Sequence, residues 1–373
     1  MIQKVIRGRD SIGKVSALME KVGIRKPLIV GSEKLTGRLT RQEALKHEPV
    51  FSGYHPNPDL ADAEAGVEMY AREGCDGLIS LGGGSAMDTA KAIKAWLCAG
   101  SLENTRKNLL QERNIPHIAI PGTAGSGAEA TSNAVLYEDG RKLSLGHPSL
   151  LPDGVILDAG LLDSLPEYHK KSCALDALSQ GIESYWARSA TEDSRVNAFL
   201  AILGVLDNLK AYLAGDPHAA QEVMDAAYQS GKAIFQTRTT AAHAMSYQIT
   251  KLLGPAHGHA CLITLPVLWD RMCADPDQRD LMKELASRMR LGDPLMGSRL
   301  MRGMLIDLGM EAPPAPSEEI LRKLVDSVNP ERLGNHPQTL GAAEIEAVYR
   351  QAFRPVLDPE RQACLDIWRY YGA

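Results

Sequence analysis

An apolar run, Leu78-Ile79-Ser80-Leu81, ends on three consecutive glycines, Gly82-Gly83-Gly84. A helical pattern starts at once with Ser85-Ala86-Met87-Asp88-Thr89-Ala90-Lys91. Few folds accommodate that join. A short continuous apolar run bounded by glycine fits a strand buried on both faces of a parallel sheet. The helix that follows aims its free N–H groups and the positive end of its dipole at whatever lies over the turn. Glycines there let backbone approach a ligand closely, and a pyrophosphate is the natural guest. A plain strand-to-helix turn needs one glycine, not three. The stretch is neither G-x-G-x-x-G nor a Walker loop, so the chemistry of the turn carries the reading and not a motif match.

Two more runs have the same character: Pro27-Leu28-Ile29-Val30-Gly31-Ser32 and His117-Ile118-Ala119-Ile120-Pro121. The latter leads into Gly122-Thr123-Ala124-Gly125-Ser126-Gly127-Ala128-Glu129, a second polar rim with two hydroxyls. Helical spacing over residues 11–22 and 59–73 places helices between the strands, the order of a doubly wound α/β sheet that binds ligands beyond the carboxyl ends of its strands. Past about residue 160 strand signals fade. Residues 193–213, 219–236, 276–290, 294–308, 317–328 and 342–353 all read as helices. The expected organisation is an α/β dinucleotide-binding domain over 1–160 and an all-helical domain over 161–373.

The helical half carries a second constellation. Asp176 and Gln180 lie one turn apart on one face of a helix. His243 lies in Thr239-Thr240-Ala241-Ala242-His243, and His257 in Pro255-Ala256-His257-Gly258. A carboxylate, an amide oxygen and two imidazoles from separate helices make a mixed oxygen and nitrogen site for a divalent ion.

Charge and composition exclude other classes. The 373 residues carry a net charge of -5 with no basic block, and only four Phe among them, which gives nucleic acid neither an electrostatic footprint nor stacking platforms. No run is expected to approach the ~20 apolar residues of a membrane span. Six scattered cysteines without paired spacing suggest reduced thiols and a cytoplasmic protein, not a disulfide frame or a thiolate zinc site.

Taken as a set, these stretches, with Asp158-Ala159-Gly160-Leu161, Leu165-Pro166 and Asp176-Ala177-Leu178, resemble the iron-containing (group III) alcohol dehydrogenase family over nearly the whole chain. The resemblance implies reduction of a small aldehyde with NADP(H) or NAD(H) and a divalent metal, Fe(II) in the family and Zn(II) as the alternative, in a homodimer. It places the cofactor on Ser32, Gly82, Gly83, Gly84, Ser85, Asp88, Thr123, Ser126 and Lys142. It makes Asp176, His243 and His257 metal ligands and puts Gln180 where the family has a further His, so that a neutral oxygen donor replaces an imidazole, or water completes a three-ligand site, or the metal has been lost. Tyr247 stands where the family commonly has a His credited with proton relay. A phenol with a reference pKa near ~10 is a poorer shuttle at neutral pH. His257 and Tyr247 are thus the residues expected nearest the reacting carbonyl.

The pattern Arg238-Thr239-Thr240 and His257-Gly258-His259-Ala260 is similar to that of reductases of phosphonoacetaldehyde, so the expected aldehyde is anionic, with Arg238, Thr239, Asn133 and His259 as pocket donors. In NAD-preferring relatives an Asp follows the first strand. Here Gly31-Ser32 stand there, which admits a 2′-phosphate, while Glu33 opposes it. Other small aldehydes, a dehydroquinate-synthase-like lyase and a non-catalytic nucleotide binder are the alternative readings.

Overall fold

The computed structural model describes residues 2–111, 115–138 and 141–371, which divide into two compact units. The first comprises Met1–Leu165 and Ala214–Gly231, the second Pro166–Leu213 and Lys232–Ala373.

The first unit is built on strands β1 (Lys4–Arg7), β2 (Pro27–Gly31), β3 (Val50–Phe51), β4 (Gly77–Gly82), β5 (His117–Pro121) and β8 (Gly154–Leu157), with β6 (Asn133–Glu138) and β7 (Arg141–Gly146) apart as an antiparallel hairpin. The six-stranded sheet is parallel throughout, in the order β1-β8-β5-β4-β2-β3. Successive residues serve opposite layers: Leu28, Val30 and Leu78 pack with Leu60 and Ile93, while Ile29, Ile79 and Ile118 pack with Val15, Leu18 and Leu39. Helices α1 (Val15–Val22) and α2 (Glu33–Thr40) supply one layer, and α3 (Leu60–Glu73) and α4 (Gly84–Ala99) the other; short α5 (Leu102–Arg106) follows α4. Two covered faces explain why β2, β4, β5 and β8 are buried at every residue and read as unbroken apolar runs. Edge strands β1 and β3, of four and two residues, leave no such signature.

The second unit is helical: α6 (Glu167–Trp186), α7 (Glu192–Leu213), the end of α8 (Pro217–Thr237), α9 (Ala241–Leu253), α10 (His257–Ala274), α11 (Arg279–Arg288), α12 (Met296–Asp307), α13 (Glu318–Asp326), α14 (Pro330–Leu333), α15 (Ala342–Ala352) and α16 (Glu360–Tyr370). Helix α8 divides at Gly231. Its earlier part belongs to the first unit, where Asp225 pairs with Arg7 at 3.1 Å and Gly127 meets Gly231 so closely that a Cβ on Gly127 would lie 2.5 Å from the Gly231 Cα.

Helix α7, 22 residues with a mean hydropathy of 1.3 in its most apolar window, is long and apolar enough to cross a membrane. Its Ala198, Ala201, Ile202 and Val205 are fully buried, and Gly181 of α6 has space for only a hydrogen beside Ile202 and the Ala198 carbonyl. It packs as a core helix, with the charges of Glu192, Asp193, Arg195, Asp207 and Lys210 along its length.

Candidate metal centre and cofactor loops

Helix α6 presents Asp176, Gln180 and Glu183 at intervals of four and three residues, all buried. That spacing puts them on one helical face. Helix α10 crosses this face at its first turn. A Cβ on Gly258 would sit 2.0 Å from the Ser172 carbonyl oxygen and 2.6 Å from the Asp176 Cβ, so only glycine permits the approach that sets His257 beside Asp176.

The donor atoms of Asp176, His243, His257 and Cys261 lie within 4.8 Å of one another. His243 Nε2 is 3.2 Å and His257 Nε2 3.8 Å from Asp176 Oδ1, and the Cys261 thiol is 3.9 Å from His257 Nε2. A tetrahedral ion with bonds of about 2.0 Å to nitrogen and oxygen and about 2.3 Å to sulfur has edges of roughly 3.3–3.6 Å. The group therefore fits a divalent cation with small inward shifts. The other imidazole nitrogens are already engaged. His243 Nδ1 bonds Glu183 Oε2, and His257 Nδ1 lies 3.3 Å from Ser246 Oγ, whose hydroxyl donates to the His243 carbonyl at 2.9 Å. Protons held on both Nδ1 atoms leave both Nε2 lone pairs for the cation, the usual arrangement of carboxylate- or hydroxyl-backed ligands.

Glu183 has a second task. Its Oε1 accepts hydrogen bonds from Thr240 N–H (3.1 Å), Thr240 Oγ1 (2.7 Å) and Ala242 N–H (2.8 Å). The two N–H groups are orphan donors at the start of α9, which Thr240 itself does not cap. The same carboxylate starts the helix and orients its third residue, His243.

Burial opposes charge on every member of the cluster, and mutual attraction overcomes it. Desolvation pushes the Asp176 carboxyl up, but His257 and His243 hold it below its usual range. Against burial, Cys261 and the neighbouring carboxylates raise His243 well above an ordinary histidine, and Cys261 and Asp176 raise His257. Burial pushes the Cys261 thiol up, yet the two imidazoles bring it below its ordinary value.

Of the other expected residues, Tyr247 stacks on His257, ring centres 5.5 Å apart and planes 19° apart. Gln180 is buried one turn beyond Asp176. Arg238 is exposed, holds a left-handed backbone (φ 61°) and joins no ion pair among the described residues; Thr239 next to it is part-exposed. His259 does not join the cluster. Two residues beyond His257 it points about 200° around α10, where its Nδ1 lies 3.1 Å from the Tyr168 hydroxyl. Asn133 is exposed at the start of β6 in the first unit, with its carboxamide against Gly146.

In the first unit the β4–α4 turn and the loop after β5 lie against each other. Gly122 N–H donates to the Gly82 carbonyl at 2.8 Å, and Gly82 has a φ of 155° that disfavours any side chain. Side chains of Thr123 and Ser126 stand 3.4 and 3.6 Å from where Cβ atoms on Gly83 and Gly84 would be. Gly83, Gly84, Ser85, Asp88, Thr123 and Ser126 are all part-exposed, so the start of α4 is open to a ligand. Ser32 is exposed at the N-cap of α2. Lys142 pairs through its backbone with Tyr137, but its side chain lies outside the described residues.

Sequence reasoning missed Lys91, Tyr54, Glu183, Ser246 and Cys261. Lys91, fully buried, donates to the Ala128 carbonyl (2.6 Å), Thr131 Oγ1 (3.0 Å) and the Asn133 carbonyl (2.9 Å), fixing the loop after β5 to α4. Tyr54 sets its hydroxyl 3.9 Å from where a Gly82 Cβ would be. Signals existed for the others: Glu183 lies seven residues after Asp176, Ser246 three after His243, and Cys261 four after His257.

A parallel sheet with an open triple-glycine turn, and a helical unit with a cation-sized donor cluster, suit an enzyme that binds a nucleotide and a metal. Residues 3–159 match the model for iron-containing alcohol dehydrogenase, and residues 171–353 the model for the C-terminal region of that family. The chain belongs to the iron-containing alcohol dehydrogenase family. It is 30% identical over 69% of its length to an NAD-dependent methanol dehydrogenase of Bacillus methanolicus, covering 71% of that protein. It is 35% identical to a phosphonoacetaldehyde reductase of Streptomyces viridochromogenes over 57% of each chain. Among solved structures, a sulfoacetaldehyde reductase from Bifidobacterium kashiwanohense in complex with NAD+ superposes with a TM-score of 0.87 over 94% of this chain and 97% of that one, at 24% identity, which bears on fold alone. The chain spans only part of the curated relatives it matches, 55% of one and 71% of another.

Proposed function

We propose that this protein reduces a small aldehyde to its alcohol with a reduced nicotinamide dinucleotide, and that its preferred substrate is an anionic aldehyde of the phosphonoacetaldehyde type. The observation that carries the reading is the donor cluster of Asp176, His243 and His257, with both imidazoles fixed to present Nε2. A divalent ion held there supplies Lewis acidity toward a carbonyl oxygen, and the nicotinamide supplies hydride. Iron(II) follows from family membership, and zinc is the alternative.

The chain's own groups do the rest. The first turn of α4 and the hydroxyls of Thr123 and Ser126 hold the cofactor's phosphates and ribose, with Lys91 keeping the second loop in place. Gly31-Ser32, with no carboxylate at those two positions, admits NADP(H) as well as NAD(H). His257, the part-exposed member of the cluster, offers the side from which a substrate reaches it. Tyr247, stacked on that imidazole, shields it and places a hydroxyl beside it as a proton donor. Arg238 has a guanidinium free to pair with a phosphonate or sulfonate. The working form is a homodimer in the cytoplasm.

Metal-loaded protein is mixed with NADPH or NADH and a panel of phosphonate, sulfonate and neutral aldehydes. One cofactor oxidised per aldehyde consumed, fastest with the phosphonate, is the expected result. No oxidation with any aldehyde would sink the reading, and the fastest turnover with the sulfonate would move the substrate to sulfoacetaldehyde. Arg238→Ala should raise KM for the anionic aldehydes at least tenfold more than for a neutral one of similar size; equal effects would remove the anion argument.

A further inference from the structure

We propose that the thiolate of Cys261 is the fourth protein ligand of the cation, making the centre an Asp176–His243–His257–Cys261 site, in place of the Gln180 oxygen that sequence comparison with the family suggests. The inference rests on the metal-dependent reading above and deepens it.

Cys261 follows His257 by four residues on α10, so the two side chains leave the helix on one face, a turn apart. The residue is fully buried. A buried cysteine is usually a small apolar filler, but this one faces two imidazole nitrogens and a carboxylate oxygen. Its sulfur lies 3.9 Å from His257 Nε2 and within 4.8 Å of the chosen donors of His243 and Asp176. With a longer bond to sulfur than to nitrogen, a tetrahedral ion would bring that pair to roughly 3.6 Å, a movement of a few tenths of an ångström. None of the six cysteines is in a disulfide, and Cys261 is the one that joins such a group among the described residues.

Two consequences follow. A carboxylate plus a thiolate neutralise a dication, whereas a carboxylate plus an amide leave one positive charge on the centre. A soft sulfur ligand also tilts selection toward zinc and cobalt over harder ions, on top of the ordinary rise in affinity along the first-row series.

The test reads the centre without turnover. Metal-free protein is titrated with cobalt(II) and followed by absorption. Wild type should develop an intense near-ultraviolet sulfur-to-cobalt charge-transfer band together with tetrahedral visible bands. Cys261→Ser, nearly isosteric and checked by circular dichroism for folding, should lose the charge-transfer band and bind cobalt more weakly by more than the ~10–100-fold that loss of an outer partner costs. Gln180→Leu should keep the band. Cobalt bound to wild type without that band would overturn the proposal whatever the variants do. So would Cys261→Ser keeping wild-type affinity, or Gln180→Leu being the variant that loses the ion. Aldehyde turnover by a protein whose cobalt form lacks sulfur ligation would leave the reductase reading standing and remove only this ligand, whereas failure to bind any cation would remove both.

Discussion

Glu183 shows how much one side chain settles at the centre. It bonds His243 Nδ1 and three donors at the start of α9, and it is fully enclosed. Glu183→Gln is expected to weaken cation binding about 10–100-fold, because an amide has one acceptor oxygen where the carboxylate uses two, and without the negative charge it strengthens the imidazole less as a donor. Calorimetric titration with zinc checks it, and unchanged affinity would count against the positioning role. The protonation pattern gives a second expectation. His243 and His257 both hold their protons above the ordinary histidine range, while Asp176 and Cys261 are already biased toward their anions. A cation must therefore displace protons from the imidazoles. Binding should release protons and tighten as pH rises, with the increase continuing above the ~6.5 of an unperturbed histidine. Zinc titrations between pH 6 and 9 would show a flat profile if the cluster is not the site.

At the scale of elements, the approach of α10 to α6 depends on a missing methyl group. Gly258→Ala would drive a Cβ into the Ser172 carbonyl and Asp176 Cβ. Because the obstacle is backbone, α10 must shift and carry His257 and Cys261 out of register. The expected loss is on the order of 1–3 kcal/mol of stability, as for other overpacked contacts, with cation binding abolished; denaturant melts and metal analysis measure the two separately. What the sequence revealed divides along the same line. β2, β4 and β5 were legible because burial on both faces writes an unbroken apolar run, and helices such as α7, α11, α13 and α15 because each has one buried stripe. β1 and β3 were not, since short edge strands need only a partner and no pattern of their own. Asp176, His243 and His257 were legible from their surroundings in sequence. Cys261 was overlooked because cysteine is so often a plain core residue. Glu183 and Lys91 were overlooked because a charged residue inside a helix usually faces solvent, and only the fold shows that these two are enclosed and fully bonded.

For the molecule as a whole, enclosed charges make stability depend on pH in two windows. Burial lowers Lys91 from 10.5 to about 8, so between those values the unfolded chain holds a proton that the native one has shed, and stability should rise with pH. Burial raises Glu129 from 4.5 to about 7, so there the native chain holds the extra proton and stability should fall as pH rises. Urea midpoints followed across both ranges should show the two slopes; Lys91→Met should erase the alkaline one and Glu129→Gln the acidic one, and slopes that survive would refute the assignment. The division of α8 at Gly231 has a practical result of its own. A gene cut at residue 160 would encode a fragment missing the strip of helix on which its own Gly127 rests and the Asp225 that meets its Arg7. Separately expressed halves should then be recovered as aggregates, and active material should return only when both are made in the same cell.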